Sequence, residues 1–289
     1  MKDGRKKFDA IVIGSGQGGT PLSLSLADAG WKVALVERKA VGGTCVNEGC
    51  TPTKTMIASA RVAHLVRRAG DFGVHAGEFS LDLERVIRRK KEVVESFREG
   101  SKKRILDSPN LSLIEGSARF VRERQLEISL LSGSTEFFEA DIIVINTGTR
   151  PARPEIRGLD NSVAYDSTSI MELDELPEHL IIVGGGYVGL EFGQMFRRFG
   201  SEVTIIQRDK QLLSREDEDI AGMVLEIMRD EGIEVLLDSE PLQARSAGGN
   251  RISLRVQSSE KETTLVGSHL LLATGRLPNR SEEHTSELQ

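Results

Sequence analysis

One glycine-punctuated pattern occurs twice in this chain, and it limits the fold more than any other feature. The first copy opens with the apolar run Phe8 to Ile13, followed by Gly14, Gly16 and Gly19. A helical segment ends near Gly30, a second apolar strand covers Lys32 to Glu37, and the copy closes much later on Asp141 to Asn146 and Thr147-Gly148. The second copy opens with Leu180 to Val183 and Gly184, Gly186 and Gly189. It continues through a helix to Gly200 and a strand from Glu202 to Gln207, and closes on His269 to Ala273 and Thr274-Gly275. Strand, glycine turn, helix and strand in that order make a βαβ unit, whose strands pair in parallel through a crossover.

Between the opening and the close of each copy, alternating segments predict an antiparallel meander. In the first these are Leu111 to Ile114, Arg119 to Val121 and Leu126 to Leu130. In the second they are Arg251 to Gln257 and Thr263 to Val266, around an Ala247-Gly248-Gly249-Asn250 turn. The expected fold class is α/β, with two Rossmann-like dinucleotide-binding domains, each a parallel sheet plus a β-meander. The two prolines of Arg150 to Pro154 mark the linker. Residues 1–150 form one domain and 151–279 the other. Leu83 to Leu106, dense in Arg, Lys and Glu, reads as a long helix with a solvated face.

A lone G-x-G-x-x-G says little, but here each copy follows an apolar strand and precedes a helix. The first glycine permits a tight turn, the second lets the backbone approach a pyrophosphate, and the third lets the helix pack closely. The helix N-terminus then faces the anion. The residue closing the second strand separates the two sites. Glu37 lies 23 residues after Gly14 (37 − 14), where a carboxylate accepts hydrogen bonds from an unphosphorylated ribose such as that of FAD. The same count from Gly184 (207 − 184) reaches Gln207, with Arg208 next and Lys210 close by. Loss of the carboxylate and gain of cations suit a 2′-phosphate, so NADPH is expected over NADH.

The formal charge of −6 leaves no basic excess for phosphate backbones or anionic lipid, so neither nucleic acid nor membrane is an expected partner. No apolar run approaches the roughly 18 residues of a membrane helix, and Met1 to Phe8 is not a secretory leader. A cytoplasmic setting is expected, where a close cysteine pair is catalytic or metal-binding more often than structural.

Cys45 and Cys50 are the two cysteines, within the run from Gly42 to Lys54. The residues Met56 to Ala63 read as a helix, with both cysteines in its first turn or just ahead. There the helix dipole and free N–H groups favour a thiolate. A zinc site would need two more ligands, and His64, His75, His179, His269 and His284 have no metal spacing, so no metal site is expected. A structural disulfide over so short a loop would stabilise little.

Gly-Gly-Thr-Cys-Val-Asn-Glu-Gly-Cys-Thr-Pro-Thr-Lys, with the flanking glycine motifs, resembles the class I pyridine nucleotide–disulfide oxidoreductases over residues 8 to about 279. That family includes dihydrolipoyl dehydrogenase, glutathione reductase and mercuric reductase. The resemblance implies an enzyme using FAD and NADPH that reduces a small disulfide or a metal ion. It makes Cys50 the thiol beside the flavin, Cys45 the interchange thiol, and Lys54 with Glu191 an ion pair near the flavin. It assigns Gly43, Thr44, Gly116, Ala118, Thr147, Gly148 and Thr149 to FAD contacts. Tyr187 falls where glutathione reductase covers its nicotinamide pocket, and Thr274-Gly275 borders the nicotinamide dinucleotide.

Gly-Gly-Thr-Cys-Val-Asn together with Gln211 to Asp217 is most similar to mercuric reductase-type members. Dihydrolipoyl dehydrogenase is the enzymatic alternative, and a non-catalytic dinucleotide-binding or redox-sensing protein is the alternative of another class. The resemblance stops at Arg276 to Asn279, ahead of the family's second FAD segment and dimerisation domain. Arg280 to Gln289 matches an in-frame translation of a common sequencing adapter, so a non-native tail is expected. The fragment is expected to hold FAD poorly and to be inactive, and its full-length parent to be a homodimer.

Overall fold

The computed structural model describes residues 5–159, 164–249, 251–259 and 261–279. The expected tail 280–289 and Asn250 of the expected turn lie outside these. In chain order the first elements are β1 (Lys6–Ile13), α1 (Gly19–Asp28), β2 (Val33–Glu37), α2 (Gly43–Asn47), α3 (Cys50–Arg67) and α4 (Leu83–Leu106). Then come β3 (Leu111–Arg122), β4 (Gln125–Leu130), β5 (Thr135–Ile145), β6 (Thr149–Pro151) and β7 (Ala164–Tyr165). The later elements are β8 (His179–Val183), α5 (Tyr187–Phe199), β9 (Glu202–Ile206), α6 (Glu218–Asp230) and β10 (Glu234–Leu236). The series ends with β11 (Ser239–Gly248), β12 (Arg251–Ser258), β13 (Glu262–Gly267), β14 (His269–Leu272) and β15 (Arg276–Pro278). The described residues group into two compact units, those within 1–52, 91–150 and 278–279 in one, and those within 53–90 and 151–277 in the other.

In the first unit β1 pairs in parallel with β2 and β5, and β2 with β3. Strands β3 and β5 are long enough to do two jobs. Leu111–Glu115 of β3 runs parallel to β2, and from Gly116 onward the same strand pairs antiparallel with β4. β4 in turn pairs antiparallel with the start of β5, so the sheet closes on itself. This corrects one expectation. Leu111 to Ile114 belongs to the parallel part, and the meander begins at Gly116. Apolar alternation of period two is the same for both pairings, so pattern alone does not separate them.

The alternation shows how β1 and β2 are covered on both faces, as a parallel sheet requires. Ile11, Ala34 and Val36 face a core with Leu126, Ile128 and Phe138 of the meander. Val12, Val33 and Leu35 face the opposite way, against Ala27 of α1 and Ile105 of α4.

The second unit repeats the arrangement with its parts separated. Its parallel sheet has the order β10-β9-β8-β14-β7, and β11-β12-β13 form an independent antiparallel sheet. Leu180, Ile182, Val203 and Ile205 face α5, which contributes Leu190, Phe192, Met195, Phe196 and Phe199. Ile181, Val183 and Ile206 face Ile252, Leu254 and Val256 of β12. Phe196 stacks on Phe192 at 6.5 Å and meets Phe199 edge-on at 6.3 Å. Each such buried ring contributes about 2–3 kcal/mol of apolar burial, and aromatic geometry adds to that.

Candidate functional site

The two glycine loops have the same construction. Gly14 has φ +105°, and a Cβ there would lie 2.2 Å from the Asn146 carbonyl oxygen. A Cβ on Gly19 would lie 2.0 Å from the carbonyl of Gly14. In the second loop the corresponding figures are φ +113° with 2.4 Å to Ala273 O at Gly184, and 2.0 Å to Gly184 O at Gly189. The protein's own backbone therefore demands the first and third glycines of each loop. The middle glycines differ. A Cβ on Gly16 would have its nearest neighbour at 3.7 Å, and on Gly186 none within 4 Å. The chain crowds neither position, and Gly186 faces open space, as close approach of a pyrophosphate requires.

The helices that follow agree with an anionic ligand. α1 and α5 have glycine N-caps, Gly18 and Gly186, with no side chain capping the first N–H groups and no acid in the first turn. Those N–H groups and the positive end of the helix remain available to an anion. Both loops thus fit a dinucleotide pyrophosphate.

The side chains at the ends of β2 and β9 repeat one contact. The N–H of Ser15 donates to Glu37 at 3.0 Å, and the N–H of Gly185 donates to the amide oxygen of Gln207 at 2.8 Å. Glu37 also accepts from the Ser15 hydroxyl at 2.6 Å and from the Lys39 N–H at 2.9 Å. Gln207 is buried and donates to Asp209 at 3.0 Å, whereas the Arg208 side chain is 77% exposed. Buried Ser15 was not legible from the motif, whose "x" positions carry no requirement. Its hydroxyl also accepts from the N–H of Gly42 at 3.2 Å, and thereby ties the glycine loop to the segment leading into the cysteines.

That segment turns at Gly42 and Gly43, with φ +102° and +60°. A Cβ on Gly43 would lie 2.6 Å from the Cα of Gly16, so the cysteine run packs directly on the first glycine loop. Cys45 and Thr44 lie within α2, and Cys50 is the first residue of α3. The sequence placed the cysteines at or just before one helix. The structure gives each its own helix, with the break at Glu48-Gly49.

Both cysteines are thiols, Cys45 half-buried and Cys50 exposed. They are in contact, and Cys50 offers Cys45 both its backbone N–H and its thiol as hydrogen-bond partners. The Cys45 thiol is pushed up to about 11, first by burial and then by the hydrogen bond and negative charge of Cys50. The expected easy thiolate is therefore not found at Cys45. Its helix of five residues has little dipole, and a second charge beside Cys50 is resisted. Alkylation of Cys45 should accordingly keep rising with pH to about 11. Cys50→Ser should move that profile to lower pH, because it removes the neighbouring charge; mass-resolved labelling against pH checks this. Raised above its ordinary value, this thiol stabilises the fold below about pH 9, and that contribution is lost as pH climbs through about 11.

Lys54 lies four residues after Cys50 on α3, and its ammonium donates to Glu191 of α5. Tyr187, the first residue of α5, is exposed and donates its hydroxyl to Glu216. That hydrogen bond, with the carboxylate charge, raises the phenol above its ordinary range. The Gln211 to Asp217 segment that supplies Glu216 also packs on the second loop, with the Leu213 N–H donating to Gly185 O at 3.0 Å.

The remaining expected contact residues have mixed surroundings. Gly116 is buried, and a Cβ there would lie 2.6 Å from Ser129 O, so packing of β4 alone explains it. Ala118 packs on the meander core. Gly148 at φ +71° and Gly275 at φ +109° have open space about them. Thr147 donates to Asn279 O at 2.8 Å, and Thr149 opens β6. Among the described residues no three His, Cys, Asp or Glu side chains gather as a metal ligand set, and no helix is long and apolar enough to cross a membrane.

Residues 8–289 match the family model described as pyridine nucleotide-disulphide oxidoreductase. Over 281 residues the chain is 37% identical to the probable pyridine nucleotide-disulfide oxidoreductase RclA of Escherichia coli, covering 96% of this chain and 58% of that protein. It is 38% identical to a mercuric reductase of Streptomyces lividans, covering 93% and 56%. It is 34% identical to the dihydrolipoyl dehydrogenase of Bacillus subtilis, covering 92% and 58%. The solved Cu(II) complex of the HOCl-induced flavoprotein disulfide reductase RclA from Escherichia coli superposes with a TM-score of 0.81 at 36% identity, over 95% of this chain and 58% of that one. The chain thus spans less than two thirds of the length of these relatives. With duplicated glycine loops, paired cysteines and relatives of one kind along nearly its whole length, the chain belongs to the pyridine nucleotide-disulphide oxidoreductase family.

Proposed function

We propose that the chain binds FAD at the first glycine loop and NADPH at the second, and delivers electrons through Cys45 and Cys50 to a small disulfide or a metal ion. The observation that carries this reading is the hydrogen-bonded contact of Cys45 in α2 with Cys50 at the start of α3, on a backbone segment packed against the first loop. FAD, when bound, supplies hydride transfer from the nicotinamide and returns an electron pair to the Cys45–Cys50 bond.

The chain's residues have definite parts in this scheme. Gly14, Gly16 and Gly19 give the first pyrophosphate its turn, and Glu37 faces the adenosine ribose. Gly43, Thr44, Thr147, Gly148 and Thr149 line FAD, and Lys54 carries its ammonium paired with Glu191. Gly184, Gly186 and Gly189 take the nicotinamide dinucleotide, with Gly275 at its border and Tyr187 over its pocket. Cys45 attacks one sulfur of a disulfide substrate and the other sulfur leaves as a thiol. Cys50 then attacks Cys45, which releases the second thiol and closes the Cys45–Cys50 bond. The substrate gains two electrons and the cysteines lose two.

A metal-ion substrate is favoured by the mercuric reductase likeness and by the Cu(II) held in the RclA structure. Dihydrolipoyl dehydrogenase remains the second reading, supported by 34% identity and opposed by Gln207 and Tyr187. The setting proposed is cytoplasmic and the assembly proposed is a homodimer.

NADPH over NADH rests on Gln207 being turned inward and Arg208 reaching solvent. Arg208→Ala should weaken binding of 2′,5′-ADP by about tenfold, the scale of one lost charged contact to phosphate. Binding of 5′-AMP should not change. Calorimetry with the two nucleotides checks this, and equal losses for both would argue for NADH.

A further inference from the structure

Asn47, midway between the cysteines, makes more hydrogen bonds than its exposed-looking motif position suggests. Its amide nitrogen donates to the carbonyls of Ala40 at 3.3 Å, Val41 at 3.0 Å and Gly43 at 2.9 Å. Its amide oxygen accepts from Arg98 Nε of α4 at 2.9 Å. Arg98 is itself steadied by Glu95 one turn back on the same helix.

We propose that Arg98 is a positioning residue for the redox pair, acting through Asn47 to hold Cys45 within reach of Cys50. The inference rests on the reading of Cys45 and Cys50 as a redox couple. An Asn amide has one end that donates and one that only accepts. With the oxygen on Arg98, the NH2 group must face the three carbonyls. Turned over, it would set oxygen against oxygen three times and leave a guanidinium N–H without its acceptor. Arg98 therefore fixes which way Asn47 points.

That orientation decides whether α2 exists. A helix of five residues is far below the length that is stable alone in water, and Asn47, its last residue, is the tie to the segment that enters it. Cys45 is the central residue of this tied turn. Ordering it before reaction raises the effective concentration of one sulfur at the other, and so favours the bond between them over two separate thiols.

The test is the equilibrium of the 289-residue chain with mixtures of glutathione and glutathione disulfide, quenched in acid, alkylated and weighed. In forming the Cys45–Cys50 bond the chain loses two protons and two electrons, and glutathione disulfide leaves as two glutathione thiols. Arg98→Met keeps helix propensity and the apolar stem but removes the donor. It should lower the equilibrium constant about tenfold, the scale of one charged hydrogen bond. Arg98→Lys should recover at least half of that loss, and Arg88→Met, which breaks an ion pair elsewhere on α4, should change nothing.

An Arg98→Met constant within twofold of the unaltered chain would overturn the proposal, as would an equal fall in Arg88→Met. Should Arg98→Met not fold, Asn47→Asp keeps the oxygen for Arg98 and loses the N–H donors. The same fall there supports the tie, and no change overturns it. Failure of the unaltered chain to form the bond at all would remove the redox reading itself and any positioning role with it.

Discussion

Alanine at Gly189 should cost the second unit about 3 kcal/mol, whereas alanine at Gly186 should cost no more than about 1 kcal/mol. The added methyl at Gly189 would sit 2.0 Å from the Gly184 carbonyl oxygen, and Gly184 is itself fixed at φ +113° against Ala273. Neither neighbour is a flexible side chain, so α5 has to move off β8 and open the core around Leu190 and Phe192. Gly186 has φ −84°, ordinary for any residue, and open space where its Cβ would go. Only its role as N-cap is touched.

Binding should follow the opposite order. The methyl at Gly186 occupies the approach proposed for the pyrophosphate and should weaken NADPH at least tenfold with the fold intact. Hydrogen exchange across β8 and β9, with nucleotide calorimetry, reads both effects. A Gly186→Ala chain that binds NADPH normally would show that its bare position serves no ligand.

Much of this was legible in the sequence because local backbone needs leave local signatures. Gly14, Gly19, Gly184 and Gly189 had to be glycine, and the bounds of α4 fell where its charged periodicity ran. What was not legible depended on partners far along the chain. Leu111 to Ile114 alternates equally well beside β2 or β4, and only the change of partner at Gly116 decides. The Asn47 and Arg98 contact joins residues 51 apart, and nothing in either neighbourhood announces it. The raised Cys45 thiol was missed for a different, local reason. Helix position suggested a stabilised thiolate, but burial and the facing Cys50 outweigh the dipole of a five-residue helix.

Serine at either cysteine should abolish two-electron chemistry rather than reduce it. A sulfur left alone can still exchange with a disulfide, but it has no neighbour to displace the mixed product. Cys45→Ser and Cys50→Ser should therefore each stop at a single adduct, with the remaining sulfur carrying the attacking molecule. Neither change disturbs the core, since Cys45 is half-buried and Cys50 exposed.

Intact mass after incubation with glutathione disulfide, read without reductant, addresses the couple directly. The account predicts an unaltered chain lighter by two hydrogen atoms and free of glutathione, beside two serine variants each bearing one glutathione. An unaltered chain that instead accumulates glutathione on both Cys45 and Cys50 would mean that the sulfurs act separately, and the proposed electron path would have no terminus.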